Sequence, residues 1–430
     1  MFRLGIAVAV SSLLAVTAHA QSDMSESAAR GEYLARAANC VACHSLPDGP
    51  AFAGGLKMAT PIGEIYVTNI TADEETGIGT YTLEDFDAAV RLGIAKDGHR
   101  LYPAMPYPSY AKISDQDIAD LYAYFMEAVP PARIENRENE IPWLLSFRWP
   151  LAIWNVLFFD EDQYENDPGQ SEAWNRGAYL VQGMGHCGAC HTPRGIAFNE
   201  QGYDQTDADY LAGAFLDNWY ASDLTQSNRA GLGRWSVEDI AQYMKTGRNM
   251  HSTAFGTMDE VIINSTQYLT DEDLTAMATY LASLTPANDD GAYVYDDSTA
   301  GILRGPERRT ATGANLYMQH CESCHVDTGK GYPPYLPPMA GNPPVMDPNP
   351  ASLINIVLNG SSRLIVDGTP DAYRMPGYRT SLNDQQIADI VTFIRGGWGN
   401  DAPAVSAAEV AGLRALTETA DDRMPVLKMK

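Results

Sequence analysis

Basic side chains are scarce in this chain: 29 lysines and arginines face 55 aspartates and glutamates over 430 residues, a formal charge of −26. A nucleic-acid binder needs a cationic stripe to displace counterions from phosphate, and this balance excludes one. It also disfavours docking on anionic lipid through a polybasic patch. Cysteine is scarcer still, six residues in all, too few for a disulfide-dense scaffold of this length. The glycine fingerprint of a dinucleotide-binding enzyme is missing. So are long uncharged apolar runs. The most apolar internal stretch, residues 141–159, is broken by Pro142, Arg148 and Pro150, which disfavours a membrane-spanning helix. Core-forming material is plentiful, with 45% hydrophobic residues, 23 tyrosines and 7 tryptophans. That excludes wholesale disorder, and the length suggests two to four domains.

The amino end has a positive start at Arg3, an apolar stretch from Leu4 to Val16, and the small-x-small triplet Ala18-His19-Ala20. This layout predicts an exported protein with a signal peptide over residues 1–20. A membrane anchor is the weaker reading, because the apolar stretch falls short of the ~20 residues needed to span.

The cysteines form three motifs: Cys40-x-x-Cys43-His44, Cys187-x-x-Cys190-His191 and Cys321-x-x-Cys324-His325. No cysteine is left over. This pattern is the attachment signature of c-type haem, in which two thiols add to the porphyrin vinyl groups and the adjoining imidazole takes the iron. A structural brace is the weaker reading, since C-x-x-C pairs are far more often redox motifs. A zinc ribbon would need two pairs at short separation, whereas these lie 147 and 134 residues apart. Three covalent haems are therefore expected.

Haem held by histidine alone leaves an open iron, whereas methionine on the other face closes it and raises the potential. Met105, Met258 and Met375 follow their motif histidines by 61, 67 and 50 residues. Met105 and Met375 precede proline, which biases them to extended backbone, while Met258 precedes Asp259. Each is followed by a capped helix start: Ser114-x-x-Asp117, Thr270-x-x-Asp273 and Asn383-x-x-Gln386. Met58, Met184, Met339 and Met346 lack that context. His99 and His251 are the rival ligands in the first two repeats, and the third repeat has no histidine after its motif.

The chain is a threefold repeat. Each unit opens with a glycine-containing helix at Gly31, Gly177 or Gly313, the glycine expected to let it cross the terminal helix closely. Middle helices are expected at residues 82–92, 236–245 and 351–358, stopping before Gly93, Gly247 and Gly360. Thr68-Asn69-Ile70-Thr71 in the first unit is echoed by Ser222-Asp223-Leu224-Thr225 in the second. The third has a proline-rich stretch from Tyr332 to Pro350 instead. The expected fold is all-α: three tandem class I-like cytochrome c domains, each with one covalent haem. They should span 26–135, 173–288 and 305–400, with an apolar linker at 136–172 and a tail at 401–430. Residues 141–159 are either a linker packed into its neighbours or an exposed patch for a partner or membrane interface. In the tail, Ser406-x-x-Glu409 suits a short capped helix carrying Val410 and Leu413.

The stretches VTNITADEETGIG, DGHRLYPAMPYPSY, GAYLVQGMGHCGACHTPRG, GLGRWSVEDIAQYMKTGR and STQYLTDEDL, with a WGNDAP ending to the third unit, carry a family resemblance. The chain resembles the triheme cytochrome c subunit of bacterial membrane-associated dehydrogenases acting on alcohol, gluconate, sorbitol or fructose. That resemblance implies a periplasmic electron-transfer subunit, peripheral on the cytoplasmic membrane and without catalysis of its own. It would take electrons from a quinoprotein, flavoprotein or molybdenum-enzyme partner and pass them to ubiquinone. It also implies thioether bonds at all six cysteines, proximal ligands His44, His191 and His325, and axial ligands Met105, Met258 and Met375. The alternatives are a multihaem peroxidase, which needs one open iron, and a cytochrome subunit feeding a terminal oxidase.

Overall fold

The computed structural model describes residues 24–289, 291–421 and 425–429. The signal peptide expected over 1–20 lies outside them. The architecture is mostly helical and threefold. In the first repeat α1 (Glu26–Ala37) leads into the motif helix α2 (Cys40–His44), followed by α3 (Leu83–Arg91), α4 (Tyr107–Tyr110) and α5 (Asp115–Glu127). The linker carries α6 (Pro150–Phe158). The second repeat has α7 (Glu172–Tyr179), a π-helical turn (Leu180–Met184), α8 (Gly188–His191), α9 (Val237–Thr246), α10 (Thr257–Asn264) and α11 (Asp271–Leu281). A lead-in helix α12 (Ser298–Arg304) precedes α13 (Ala314–His320), α14 (Glu322–His325), α15 (Pro343–Met346), α16 (Ala351–Asn359) and α17 (Asp384–Gly396). The tail adds α18 (Ala407–Leu416).

The fold is not purely helical. Three short antiparallel hairpins accompany the helices: β1–β2 (Lys57–Thr60, Gly63–Tyr66), β3–β4 (Ala214–Leu216, Trp219–Ala221) and β5–β6 (Ile365–Val366, Thr369–Pro370). Their strands are two to four residues long, too short to stand alone, so packing on the helical units must hold them.

Helix ends follow local chemistry. Ser114 and Thr270 accept from the N–H groups of Asp117 and Asp273, and Asn383 forms a reciprocal capping box with Gln386. Gly247 ends α9 in the left-handed region at φ 71°. Gly31 and Gly177 bring α1 against α5 and α7 against α11. A Cβ on either would lie 1.9 Å from a carbonyl oxygen, of Asp120 or Ala276. Gly313 plays the same part at the start of α13, where a Cβ would lie 2.1 Å from Asp389 O.

The first two repeats share one hydrophobic core. Leu34, Val41, Leu121 and Phe125 join Trp174, Leu180, Leu274 and Met277 in a single cluster. Their contact is reciprocal. Tyr33 Oη donates to Asp273 at 2.6 Å and accepts from Thr270 N at 3.2 Å. Tyr179, the matching residue, donates to Asp117 and accepts from Ser114 N at 3.2 Å. The third repeat has its own core around Tyr317, Ile354, Ile387, Val391 and Trp398, into which Val410 and Leu413 of α18 pack. From the second repeat, α10 packs on α2 of the first on one side and on β5 of the third on the other. Leu427 and Met429 return to the first core, where Tyr124 Oη donates to Met429 O at 2.8 Å.

Candidate haem sites

Each motif folds as a short helix that places its histidine beside a backbone carbonyl. His44 Nδ1 lies 2.8 Å from Thr68 O, His191 Nδ1 2.7 Å from Ser222 O, and His325 Nδ1 3.0 Å from Pro337 O. Donation of Nδ1–H to a carbonyl fixes the tautomer and leaves Nε2 as the free lone pair, the arrangement an iron ligand requires. Burial reinforces it: the His44 pKa is pushed down to about 4, and burial lowers those of His191 and His325. The rings are neutral at physiological pH.

One glycine per site makes this geometry reachable. Gly54, Gly213 and Gly331 donate their N–H groups to the carbonyls of His44, His191 and His325 at 2.7, 2.8 and 3.2 Å. All three have φ between 57° and 90°. A Cβ on Gly54 would sit 2.5 Å from the carbonyl carbon of Thr68, and one on Gly331 would sit 2.6 Å from Pro337 O. The chain passes so close to the acceptor segment that only glycine fits.

The six cysteines form no disulfide with one another, which leaves both sulfurs of every motif for thioether bonds. Burial pushes the pKa values of Cys40, Cys187 and Cys321 up to about 12 and that of Cys43 to about 11. Two neighbouring motifs touch. His186, just before Cys187, brings Nε2 to 3.2 Å from Ala38 O, and Tyr110 Oη donates to the same carbonyl at 3.1 Å. Asn39 and His186, each preceding its motif's first cysteine, both adopt positive φ (50° and 37°).

The first two methionines follow matching backbone bonds. Gly93 O accepts from Leu101 N, and Gly247 O from Ala254 N, both at 2.7 Å. Met105 and Met258 each follow that donor by four residues, so the two repeats place them alike. Met258 differs in lying in the first turn of α10, where Asp259 lets the helix run on and Pro106, after Met105, biases the chain to extended backbone. In the third repeat, Met375 exchanges hydrogen bonds with Ser361, beside Gly360: Ser361 N donates to Met375 O and Met375 N to Ser361 Oγ, both at 3.0 Å. All three methionines are partly buried at the margin of a hydrophobic cluster.

The rival histidines are otherwise engaged. His99 is exposed and meets Asp97 at 2.5 Å. His251 stacks on Trp235 and reaches Asp239 at 3.3 Å. Among the other methionines, Met184, Met339 and Met346 are buried core filler and Met58 lies in β1. Sequence reasoning did not single out the carbonyl acceptors. The Thr68 and Ser222 echo contained two of them, as residues rather than as carbonyl groups.

A cytochrome c family model matches residues 28–128, 175–285 and 310–398. The chain belongs to the cytochrome c family. Three cytochrome c domains call for three covalent c-type haems, and the residues fit: paired cysteines, an imidazole held at Nδ1, and a partly buried methionine in each unit. The chain is 51% identical over 394 residues to the gluconate 2-dehydrogenase cytochrome c subunit of Pantoea cypripedii, covering 90% of this cytochrome and 89% of that protein. It is 48% identical over 410 residues to the cytochrome c subunit of a quinone alcohol dehydrogenase of Gluconacetobacter polyoxogenes, with coverages of 94% and 88%. It is 40% identical over 412 residues to the fructose dehydrogenase cytochrome subunit of Gluconobacter japonicus, with coverages of 90% and 83%.

Proposed function

We propose that this cytochrome is the electron-transfer subunit of an exported dehydrogenase complex, taking electrons from a catalytic subunit and delivering them to ubiquinone. The relatives named for gluconate, alcohol and fructose dehydrogenases support this reading over the peroxidase and terminal-oxidase alternatives. The observation that carries it is the threefold histidine geometry, a neutral imidazole pinned at Nδ1 in every unit. Bound haem c supplies one-electron Fe(III)/Fe(II) chemistry. Around it, Cys40, Cys43, Cys187, Cys190, Cys321 and Cys324 would form the thioethers, and His44, His191 and His325 would be the proximal ligands. Met105, Met258 and Met375 would close the opposite faces, leaving no vacancy for substrate.

Attachment to the periplasmic face of the membrane fits the linker. The linker packs on one side only: Asn155 is buried and Trp154 and Phe159 meet Tyr107, while Trp143, Leu144, Phe147 and Trp149 point to solvent and Val156 on α6 is 85% exposed. Trp154 Nε1 donates to Ala197 O at 2.9 Å, joining this patch to the exposed Ile196 and Phe198. Two tryptophans on a short helical segment suit the membrane interface, where an aromatic ring has both apolar and polar surroundings. Among the described residues no helix is long and apolar enough to cross a membrane.

The test is a set of single axial-ligand variants of the holoprotein. Met105→Ala, Met258→Ala and Met375→Ala should each retain three haems, make one iron bind carbon monoxide and lower one potential. A variant that leaves all three potentials unchanged removes its methionine from the ligand set. Wild-type irons that react with peroxide would overturn the electron-transfer reading in favour of a peroxidase.

A further inference from the structure

The second haem site differs from the others in what stands behind its acceptor carbonyl. Ser222, whose carbonyl faces His191 Nδ1, donates its hydroxyl to Asp347 Oδ2 at 2.7 Å. Asp347 belongs to the third domain, just past α15, and is fully buried. Its other carboxyl oxygen, Oδ1, has no hydrogen-bond partner. The corresponding residue of the first domain, Thr68, is exposed, and Pro337 of the third has no hydroxyl to give.

The surroundings hold this link rigid from both sides. The hairpin β3–β4, which ends next to Ser222, is clamped on α16: Tyr220 N donates to Ser352 Oγ at 2.8 Å, and Ser352 Oγ to Tyr220 O at 2.9 Å. Asn355 Nδ2 donates to Asn218 O at 3.1 Å. On the other side, the buried Arg395 of α17 donates to the carbonyls of Val345 and Asp347 at 3.0 Å and to Pro403 O at 2.8 Å. Arg395, Asp223 and Tyr220 are the charged and titratable groups that face the carboxyl. Burial outweighs them and pushes the Asp347 pKa well above the usual carboxylate range.

We propose that Asp347 is a positioning residue for the second haem, fixing Ser222 so that its carbonyl tunes His191 and the docked third domain sets the second domain's potential. The proposal rests on the reading of His191 as an iron ligand. A firm Nδ1–H···O bond raises the donor strength of the imidazole and favours Fe(III), which lowers the potential. Loosening the carbonyl therefore raises it.

The experiment uses the full-length holoprotein and three variants, with all three potentials read by spectroelectrochemical titration. Ser222→Ala and Asp347→Ala should shift one potential upward, changing its reduced-to-oxidised ratio about tenfold, or about 59 mV for a one-electron couple. That potential should be the one that moves in Met258→Ala. Asp347→Asn should retain the wild-type value, because its carboxamide oxygen accepts the same Ser222 hydrogen bond. Ser222→Ala keeps the question open to refutation where Asp347→Ala does not fold. The proposal is overturned when Ser222→Ala moves no potential, moves all three together, or moves one that Met258→Ala leaves alone. A wild-type protein with haem at only the first and third motifs would refute the His191 reading itself, and this proposal with it.

Discussion

Glu200 packs against the second motif: a Cβ on Gly188 would lie 2.7 Å from Glu200 Oε2, and Arg194 stands 3.6 Å from the other carboxyl oxygen. At that distance the guanidinium does not offset desolvation, and burial pushes the Glu200 pKa from 4.5 up to about 7. The unfolded chain releases this proton near pH 4.5, whereas the folded chain keeps it until about pH 7. Over that window the folded state binds more protons, so Glu200 makes stability fall as pH rises, levelling off above about pH 7. The whole effect is about 3 kcal/mol. Glu200→Gln should flatten this decline, seen as urea midpoints that differ less between about pH 5 and about pH 8 than in the wild type. Equal slopes in both proteins would show that Glu200 ionises freely in the folded state. At this scale the sequence was uneven in what it disclosed. The motif cysteines and histidines were legible because their chemistry demands a fixed local spacing. The carbonyls of Thr68, Ser222 and Pro337 were not, since any residue supplies a carbonyl. Their marker glycines, Gly54, Gly213 and Gly331, fall 10, 22 and 6 residues after the histidines, with no common register.

Helix crossings are where single glycines decide how elements meet. Alanine would improve the intrinsic helix propensity at Gly177 by about 1 kcal/mol. Against that, its Cβ would sit 1.9 Å from the Ala276 carbonyl oxygen, which belongs to the backbone of α11 and has no rotamer to escape into. Overpacking of a well-filled contact costs about 1–3 kcal/mol, and a backbone clash belongs at or beyond the upper end. Gly177→Ala should therefore destabilise the cytochrome by about 2 kcal/mol, read from its thermal midpoint, with all three haems still attached. A midpoint at or above the wild-type value would mean that α7 and α11 separate at little cost. The crossing glycines and the capped helix starts were readable because each is a local pattern with a steric or hydrogen-bond cause. The hairpins were not. β5–β6 has two residues per strand, and what holds Ile365 in place is α10 of the neighbouring domain, a contact no local pattern records.

Across the whole molecule the three domains are not equivalent neighbours. The first and second share one core and exchange matching hydrogen bonds, Tyr33 to Asp273 and Tyr179 to Asp117, about a pseudo-twofold relation. The sequence hinted at this kinship, since the Thr68 and Ser222 echoes tie those repeats together, but internal likeness does not say which faces meet. The third domain keeps a separate core and meets the second through β3–β4, α10 and the Asp347 link. A shared core cannot be opened from one side without exposing the other, so the first two domains should unfold as one cooperative unit and the third as another. Hydrogen exchange at rising denaturant should show amides of α1, α5, α7 and α11 losing protection together, and those of α16 and α17 at a different concentration. The double variant Tyr33→Phe, Tyr179→Phe removes hydroxyls that each bond to a carboxylate, worth about 1.5–3 kcal/mol apiece. It should lower the opening free energy of the first group while leaving the second where it was. If α1 and α5 instead open apart from α7 and α11, the reciprocal tyrosines bind two independent domains, and the shared core is a contact surface between them.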